Sequence, residues 1–544
     1  MTGPVARGVL GDRLLGRSGL AKVVPLWLAA VATAVAVRVY LLGDKPFWRD
    51  EAWVALLSQE GLPAILSTPR PTPVGFVLLV KLAGLIPGLP PEVSLRLVPL
   101  LCGLAAVAAL PRLARALGAP PAVSRTALLL AATAPPLVYY SRELKHYSVD
   151  LLLAVLVPLL AIRFFRRDAT SPDGTAPRGG VRALAATLLA APWVSFASVF
   201  PIAGALGWGW VQPWRSAPAA TRRRWVAFTL LYALSFALAY TTTMGRQAGN
   251  PGLLEFWRKD LSQRDALSLP LRLGAAIADC IGVPLSYFFP GLELIALPLA
   301  ALGLAGWARP GASILRTLAL ATLAPTVVAV TTGRYPSAQG RLFLFAAPLL
   351  LLCIASGLAE LGRLLGPAVG ARVAAALPLA FGTVAALAWG GAAVAHRLPP
   401  YRNDPGRYFR YDVLHDVEPL IAAVGRRAAP SEPVLVTPFA DYPCRWYARG
   451  RLAGATVLTT PLKGAEKRRM LRAWAGRGRS WMLLLDEEAA SFERAIAKVG
   501  LERSLAASAR GAQLWEVRRS GSARKPPAGP RTGRAGRAAG PATD

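Results

Sequence analysis

Apolar runs of membrane-crossing length recur between Val23 and Ala395, separated by short connections rich in arginine. That pattern leaves few folds open. Lipid offers no hydrogen-bond partner to backbone N–H and C=O groups, so each run must satisfy its own backbone as a helix. A closed barrel would show short segments of alternating polarity instead, and this chain lacks them. Over 544 residues, 54% are hydrophobic and the mean hydropathy is +0.41. The expected class is an all-α polytopic membrane protein.

The formal net charge of +32 would suggest a nucleic-acid partner in a soluble protein. Here the arginines gather between spans, where they set orientation and meet anionic head groups. No basic stretch is interleaved with aromatics as single-strand binding requires, so nucleic acid is not expected as a partner. Cys102, Cys280, Cys353 and Cys444 lie far apart without metal-ligand spacing. A Cys280–Cys444 disulfide is conceivable, and unpaired packing cysteines are the simpler reading.

Arg7, Arg13, Arg17 and Lys22 precede the first span, Val23 to Leu42, which places residues 1–22 in the cytoplasm and the following loop, 43–94, outside. The run continues past any cleavage site, so it reads as an uncleaved first helix. Further spans are expected near 95–111, 122–140, 147–165, 183–199, 201–214, 225–243, 291–308, 314–332, 342–359 and 373–395. They leave Arg112 and Arg115, Arg163 and Arg166, Arg222 to Arg224, and Arg309 and Arg316 inside. Eleven spans result, or up to thirteen if 73–88 and 267–289 also cross. Val74 to Ile86 is short and bounded by prolines, and so is expected as a shallow outer-face helix. The stretch 267–289, interrupted by Arg272 and Asp279, either lies along the outer surface or adds a crossing. Arg38, near the outer end of the first span, is expected to snorkel outward.

After 398 the composition becomes mixed: VLVTP, KGAEKRRMLRAWAGRG, SWMLLL, EEAASFERAIAKVGL and GAQLWEVRR alternate strand-like and helix-like runs. Residues 399–519 are therefore expected as a small extracytoplasmic α/β domain. Residues 520–544, rich in Gly, Pro, Ala and Arg, are expected as a disordered basic tail.

Three polar clusters fall on the expected outer side: Asp50 and Glu51 in KPFWRDEAWVALL, the run YYSRELKHYSVD from Tyr139 to Asp150, and TTGRYPSAQGR from Thr331 to Arg341. Ionisable groups at membrane depth are costly and should pair or line a wet cavity. A transferase using a lipid-linked sugar phosphate needs a base for an acceptor hydroxyl and cations for the departing phosphate. Asp50 with Glu51 can supply the first, and Arg142, Lys145, Arg334 and Arg341 the second. Each cluster also has a plain structural reading. An aspartate suits a helix start before AWVALLSQEG, although capping explains one acid better than two. SRELKHY could be a charged turn, GRYP a turn made by Gly333 and Pro336, and Tyr147, Tyr335 and the neighbouring aromatics an interfacial belt. Glu143 and His146 could bind a divalent metal ion, yet two donors are a thin ligand set.

These segments, in this order, resemble the GT-C superfamily of membrane glycosyltransferases, specifically the protein mannosyltransferase and aminoarabinose transferase branch. The likeness runs from about Val23 to Leu358 and rests on FWRDEAWVALL, TPVGFVLLVKLAGL with SLRLVPLLCGLAAV, APPLVYYSRELKHYSVDLLLA, and GRYPSAQGRLFLFAAPLLLL. It implies a polyprenyl-phosphate sugar donor, inverting transfer on the extracytoplasmic face, and Asp50 as base. It also implies Arg96 and Arg334 with Tyr335 as donor-phosphate contacts. One departure is Thr72 before Pro73, where relatives often carry Lys or His; the nearest cation, Arg70, is two residues earlier.

The combined expectation is an enzyme of the plasma membrane that moves a sugar from a polyprenyl-phosphate carrier to a glycan, lipid or protein acceptor. A flippase for lipid-linked saccharide would want polar residues along the full membrane depth, and here they cluster at one face. A non-catalytic envelope scaffold would leave the acidic pair without work.

Overall fold

The computed structural model describes residues 18–40, 42–68, 71–170, 178–248, 267–289, 292–306, 312–337, 339–395, 415–448, 450–452, 454–458, 464–475 and 479–519. The expected tail, 520–544, and the positions of Arg70 and Arg309 lie outside the described residues. The chain divides into two compact units, residues 1–46 with 53–412, and residues 47–52 with 413–544.

The first unit is helical. In order come α1 (Ser18–Val39), α2 (Arg49–Gln59), whose first turn belongs to the second unit, α3 (Leu62–Ser67), α4 (Val74–Ala83) and α5 (Pro91–Ser94). Then follow α6 (Leu97–Ala116), α7 (Pro121–Thr133), α8 (Pro135–Tyr140), α9 (Tyr147–Thr170), α10 (Arg178–Val194), α11 (Val199–Val211) and α12 (Ala219–Ala239). The described residues end this unit with α13 (Leu269–Phe288), α14 (Glu293–Ala305), α15 (Ala312–Thr331), a 3-10 turn (Gly340–Ala346), α16 (Ala347–Val369) and α17 (Ala371–Ala395).

Among the described residues, seven helical stretches are long and apolar enough to cross a membrane, including Leu269–Phe288. Five shorter apolar helices accompany them, among them Val74–Ala83. At about 1.5 Å per residue the ten residues of α4 cover only half a bilayer core, which fits a shallow helix there. Within 267–289, Leu269–Phe288 forms one continuous helix despite Arg272 and Asp279. The expected single span at 122–140 is broken, because Pro135 and Pro136 cannot donate to the helix ladder. Close helix packing is allowed by small residues: a Cβ on Gly303 of α14 would lie 1.9 Å from the Cys353 carbonyl oxygen of α16, and one on Gly357 equally near that of Leu299.

The second unit is a mixed five-stranded sheet in the order β2-β1-β3-β5-β4. Its strands are β1 (Val434–Val436), β2 (Thr456–Val457), β3 (Ser480–Leu485), β4 (Leu501–Ala509) and β5 (Ala512–Arg519). β1 runs parallel to both β2 and β3, while β5 is antiparallel to β3 and β4. Every residue of β3 is buried, as its unbroken apolar run requires of a central strand. Helices α18 (Glu418–Arg427), α19 (Asp441–Ala448), α20 (Gly464–Trp474) and α21 (Asp486–Lys498) complete it, and Leu471, Trp474, Phe492 and Ile496 pack on Met482, Leu484 and Trp515. The strand β4 was not expected: LERSLAASA carries no β-branched residue, and pairing with β5 through Gly511, at φ +74°, recruits it.

In the first turn of α21 the Glu488 carboxyl accepts a hydrogen bond from the Thr437 hydroxyl. Burial pushes it up to about 6, and that hydrogen bond opposes the shift. A raised carboxyl favours the folded state fully below the ordinary glutamate value, and that stability is lost as pH rises through about 6, at a cost of about 2 kcal/mol. Hydrogen exchange of β3, corrected for its intrinsic rate, should therefore accelerate between pH 4.5 and 7 in the native chain and much less in Glu488→Gln. Identical slopes in both would refute this assignment.

Candidate active site

Pro135 and Pro136 end α7 and open α8, which leads into the polar connection before α9. In an unbroken helix their amides would have bonded the carbonyls of Ala131 and Ala132. Arg38 of α1 supplies the missing donors, with its guanidinium 3.1 Å from Ala131 O and 2.6 Å from Ala132 O. It also donates to the Ser141 hydroxyl at 3.2 Å and to Ala34 O at 3.2 Å. Arg38 is fully buried and does not snorkel outward: the freed carbonyls hold it inside. Ser141 packs so tightly on α6 that a Cβ at Gly103 would come within 2.0 Å of its oxygen, so only glycine fits there.

A second fully buried arginine, Arg96, donates to Leu42 O at 2.9 Å and Lys45 O at 2.8 Å, fixing the chain that leads to α2. Lys45 in turn donates to the Tyr139 hydroxyl at 3.1 Å, and Arg142 to Tyr40 O at 2.8 Å. The loop after α1 and the connection after α8 are thus laced together at one end of the helices.

Glu143, Lys145, His146 and Asp150 are all buried at this end, each below 8% exposure. So dense a set of ionisable side chains in apolar surroundings is costly unless the groups serve one another or a ligand. Lys145 lies over the Trp53 ring at 5.1 Å, Asp150 accepts from Ser195 at 2.5 Å, and Tyr147 packs on Tyr140 at 4.9 Å and His146 at 5.1 Å. Burial, with Lys145 and Arg341 adding to it, pushes the His146 imidazole down to about 3, so it is neutral at ordinary pH. Two buried polar atoms, His146 Nδ1 and Thr72 Oγ1, have no hydrogen-bond partner among the described residues. Phe76, one helical turn past Thr72, meets the His146 ring at 6.1 Å.

From the third cluster, Arg341 is half-buried and Arg334 exposed. Tyr335 gives its hydroxyl to Leu342 O at 2.6 Å and packs on Phe200 at 4.9 Å, so it braces the 3-10 turn from within the core. The turn is held further by Ser337 donating to Asp279 at 2.6 Å. Sequence reading missed the bracing by α13, which also sends Tyr287 to the Tyr140 hydroxyl at 2.7 Å.

The acidic pair lies in the second unit. Asp50 and Glu51 occupy the first turn of α2, Asp50 half-buried and Glu51 fully buried. Their segment is clasped by the α/β domain. The Phe47 amide donates to the Tyr447 hydroxyl at 2.8 Å, the Arg49 amide to His415 Nδ1 at 3.1 Å, and the Phe47 ring meets Trp446 at 5.5 Å. The Arg49 guanidinium rests over Phe439 at 4.5 Å. Nothing in the FWRDEAW motif announces this attachment, because its partners lie some 400 residues later.

A divalent metal was one expectation for Glu143 and His146. Among the described residues no group of three or more His, Cys, Asp or Glu side chains is placed to hold a metal ion. With Lys145 beside His146, the donor set does not fit a metal. Cys102, Cys280, Cys353 and Cys444 are all free thiols.

The fold, a helical bundle with a small sheet-bearing unit, is shared with solved structures of low sequence identity. The chain is similar to ArnT from Cupriavidus metallidurans, at 13% identity and a TM-score of 0.53 over 92% of this chain and 98% of that one. ArnT bound to undecaprenyl phosphate matches over the same shares with a TM-score of 0.50 at 14% identity. The oligosaccharyltransferase AglB from Archaeoglobus fulgidus, in complex with an inhibitory peptide and a dolichol-phosphate, matches at 14% identity and a TM-score of 0.52 over 87% of this chain and 70% of that one. No protein-family model and no curated protein sequence matches.

Replacing Arg38 with Met would strand two buried carbonyls, each costing about 1–3 kcal/mol. Thermal unfolding in detergent should show that loss, and Pro135→Ala with Pro136→Ala should recover much of it by restoring the amides. If the alanine pair leaves the Arg38→Met deficit unchanged, the guanidinium is not acting as their substitute.

Proposed function

We propose that this protein is a plasma-membrane glycosyltransferase that moves a sugar from a polyprenyl-phosphate donor to an acceptor hydroxyl on the extracytoplasmic face. The observation that carries this reading is the buried set Glu143, Lys145, His146 and Asp150 at one end of a GT-C bundle. His146 Nδ1 and Thr72 Oγ1, buried at that end without a hydrogen-bond partner among the described residues, are available to a ligand there.

Asp50 takes the proton from the acceptor hydroxyl. The acceptor oxygen bonds to the anomeric carbon, the bond from that carbon to the phosphate oxygen breaks, and the polyprenyl phosphate leaves with the electron pair, inverting the centre. Asp50 suits the base because it is half-exposed, whereas the fully buried Glu51 is out of reach of an acceptor and serves to fix the turn. Lys145, Arg334 and Arg341 hold the departing phosphate oxygens. Arg96 and Arg142, whose donors engage backbone carbonyls, shape the loops around it. Tyr147 lines the site and Tyr335 braces it. The N-terminus is cytoplasmic and the α/β domain extracytoplasmic, where it steadies the acidic pair and can present a glycan, lipid or protein acceptor.

Asp50→Asn should lower transfer from a polyprenyl-phosphate sugar by about 10²–10⁴-fold, the usual contribution of a general base, while binding of polyprenyl phosphate persists. Glycan and lipid-linked sugar analysis of a deletion strain supplies the substrate for this assay. Full activity in Asp50→Asn would defeat the base assignment.

A further inference from the structure

The first amides of a helix have no carbonyl a turn back to bond, and a side-chain oxygen just ahead of the helix ordinarily accepts one of them. Helix α2 opens at Arg49, and the residue ahead of it, Trp48, carries an indole N–H that can only donate. The acceptor for the Arg49 amide comes from 366 residues further on: His415 Nδ1, at 3.1 Å. Arg49 and His415 belong to the same compact unit, and the imidazole is buried, with Trp48 edge-on to it at 6.2 Å. Because a backbone amide can only donate, Nδ1 is the bare nitrogen and the ring's proton sits on Nε2. Nε2 faces Glu487, in the first turn of α21, at 3.4 Å, and a carboxylate there favours the proton on that side.

A residue needed only to attach this segment would be redundant, since the Phe47 amide is already held by the Tyr447 hydroxyl at 2.8 Å. What His415 adds is a bond inside the first turn of the helix itself, one residue before Asp50. Helix ends fray when their first amides lose their acceptors. We propose, on the reading of Asp50 as the base, that His415 is a positioning residue for the transfer: Nδ1 caps α2 and so fixes where the Asp50 carboxylate stands, while Glu487 keeps the ring in the tautomer that can accept. A displacement of about 1 Å at a reacting group can cost about a hundredfold in rate. The α/β domain acts on the chemistry through one nitrogen of one side chain.

Three variants of the full-length chain separate the roles of the two ring nitrogens. Asparagine puts a side-chain oxygen close to where Nδ1 stands, glutamine puts its amide close to where Nε2 stands, and alanine removes both. Hydrogen exchange of the Arg49 amide should be about fivefold to tenfold faster in His415→Ala and His415→Gln than in the native chain, and close to native in His415→Asn. Transfer is measured with lipid-linked sugar isolated from the deletion strain as donor and membranes of that strain as acceptor. There kcat should fall about tenfold to a hundredfold in His415→Ala and His415→Gln with KM for the donor unchanged, and His415→Asn should recover most of the loss. Added to Asp50→Asn, His415→Gln should cost no further activity, because no base remains to be placed. Equal exchange in all the chains, or recovery by glutamine and not by asparagine, would overturn the proposal. So would faster exchange with kcat unchanged, and Asp50→Asn then tells the two ideas apart: if it is inactive only the role of His415 falls, and if it is fully active the base reading falls as well.

Discussion

Two prolines and one arginine organise the working end of this molecule. Pro135 and Pro136 strip Ala131 and Ala132 of their helical partners, and the fully buried Arg38 replaces both amides with one planar group. Burying a guanidinium in apolar surroundings costs several kcal/mol, and leaving two carbonyls bare would cost a similar amount, so either defect alone would be untenable. Together they offset each other, and the chain gains a sharp turn at the end of α7. That turn delivers Tyr139, Tyr140, Ser141 and the buried polar run after them.

Arg96 performs the corresponding task for the loop before α2, holding Leu42 and Lys45 by their carbonyls. The acidic pair then starts a helix whose first turn is gripped by side chains of the α/β domain, Tyr447, His415 and Phe439. Backbone amides of Phe47, two residues before the helix, and of Arg49, its first residue, are the groups held, so main-chain bonds help set where Asp50 stands.

Much of this was legible in the residues. The period and length of the apolar runs led to a helical membrane bundle, and polar clusters interrupting apolar hairpins marked Asp50, Glu51, Glu143, Lys145, His146 and Arg341 for attention. What stayed hidden depends on long-range partners. Arg38 read as a snorkelling side chain because nothing near it in sequence reveals the stripped carbonyls some 93 residues on. The signal available was an arginine inside an apolar run followed by a Pro-Pro pair in another. Tyr335 read as a phosphate contact, yet its hydroxyl is committed to Leu342 O. Strand β4 was invisible because LERSLAASA has no intrinsic strand preference, and its conformation comes from β5 alongside it.

The central claim is that the donor's phosphate meets the cations of the buried polar end, and an electron cryo-microscopy map of the chain with polyprenyl phosphate tests it most directly. The account predicts phosphate density within hydrogen-bond distance of Lys145 and Arg341, with the imidazole of His146 alongside. Phosphate density at the opposite ends of α6 and α9, with Lys145 and Arg341 untouched, would contradict it.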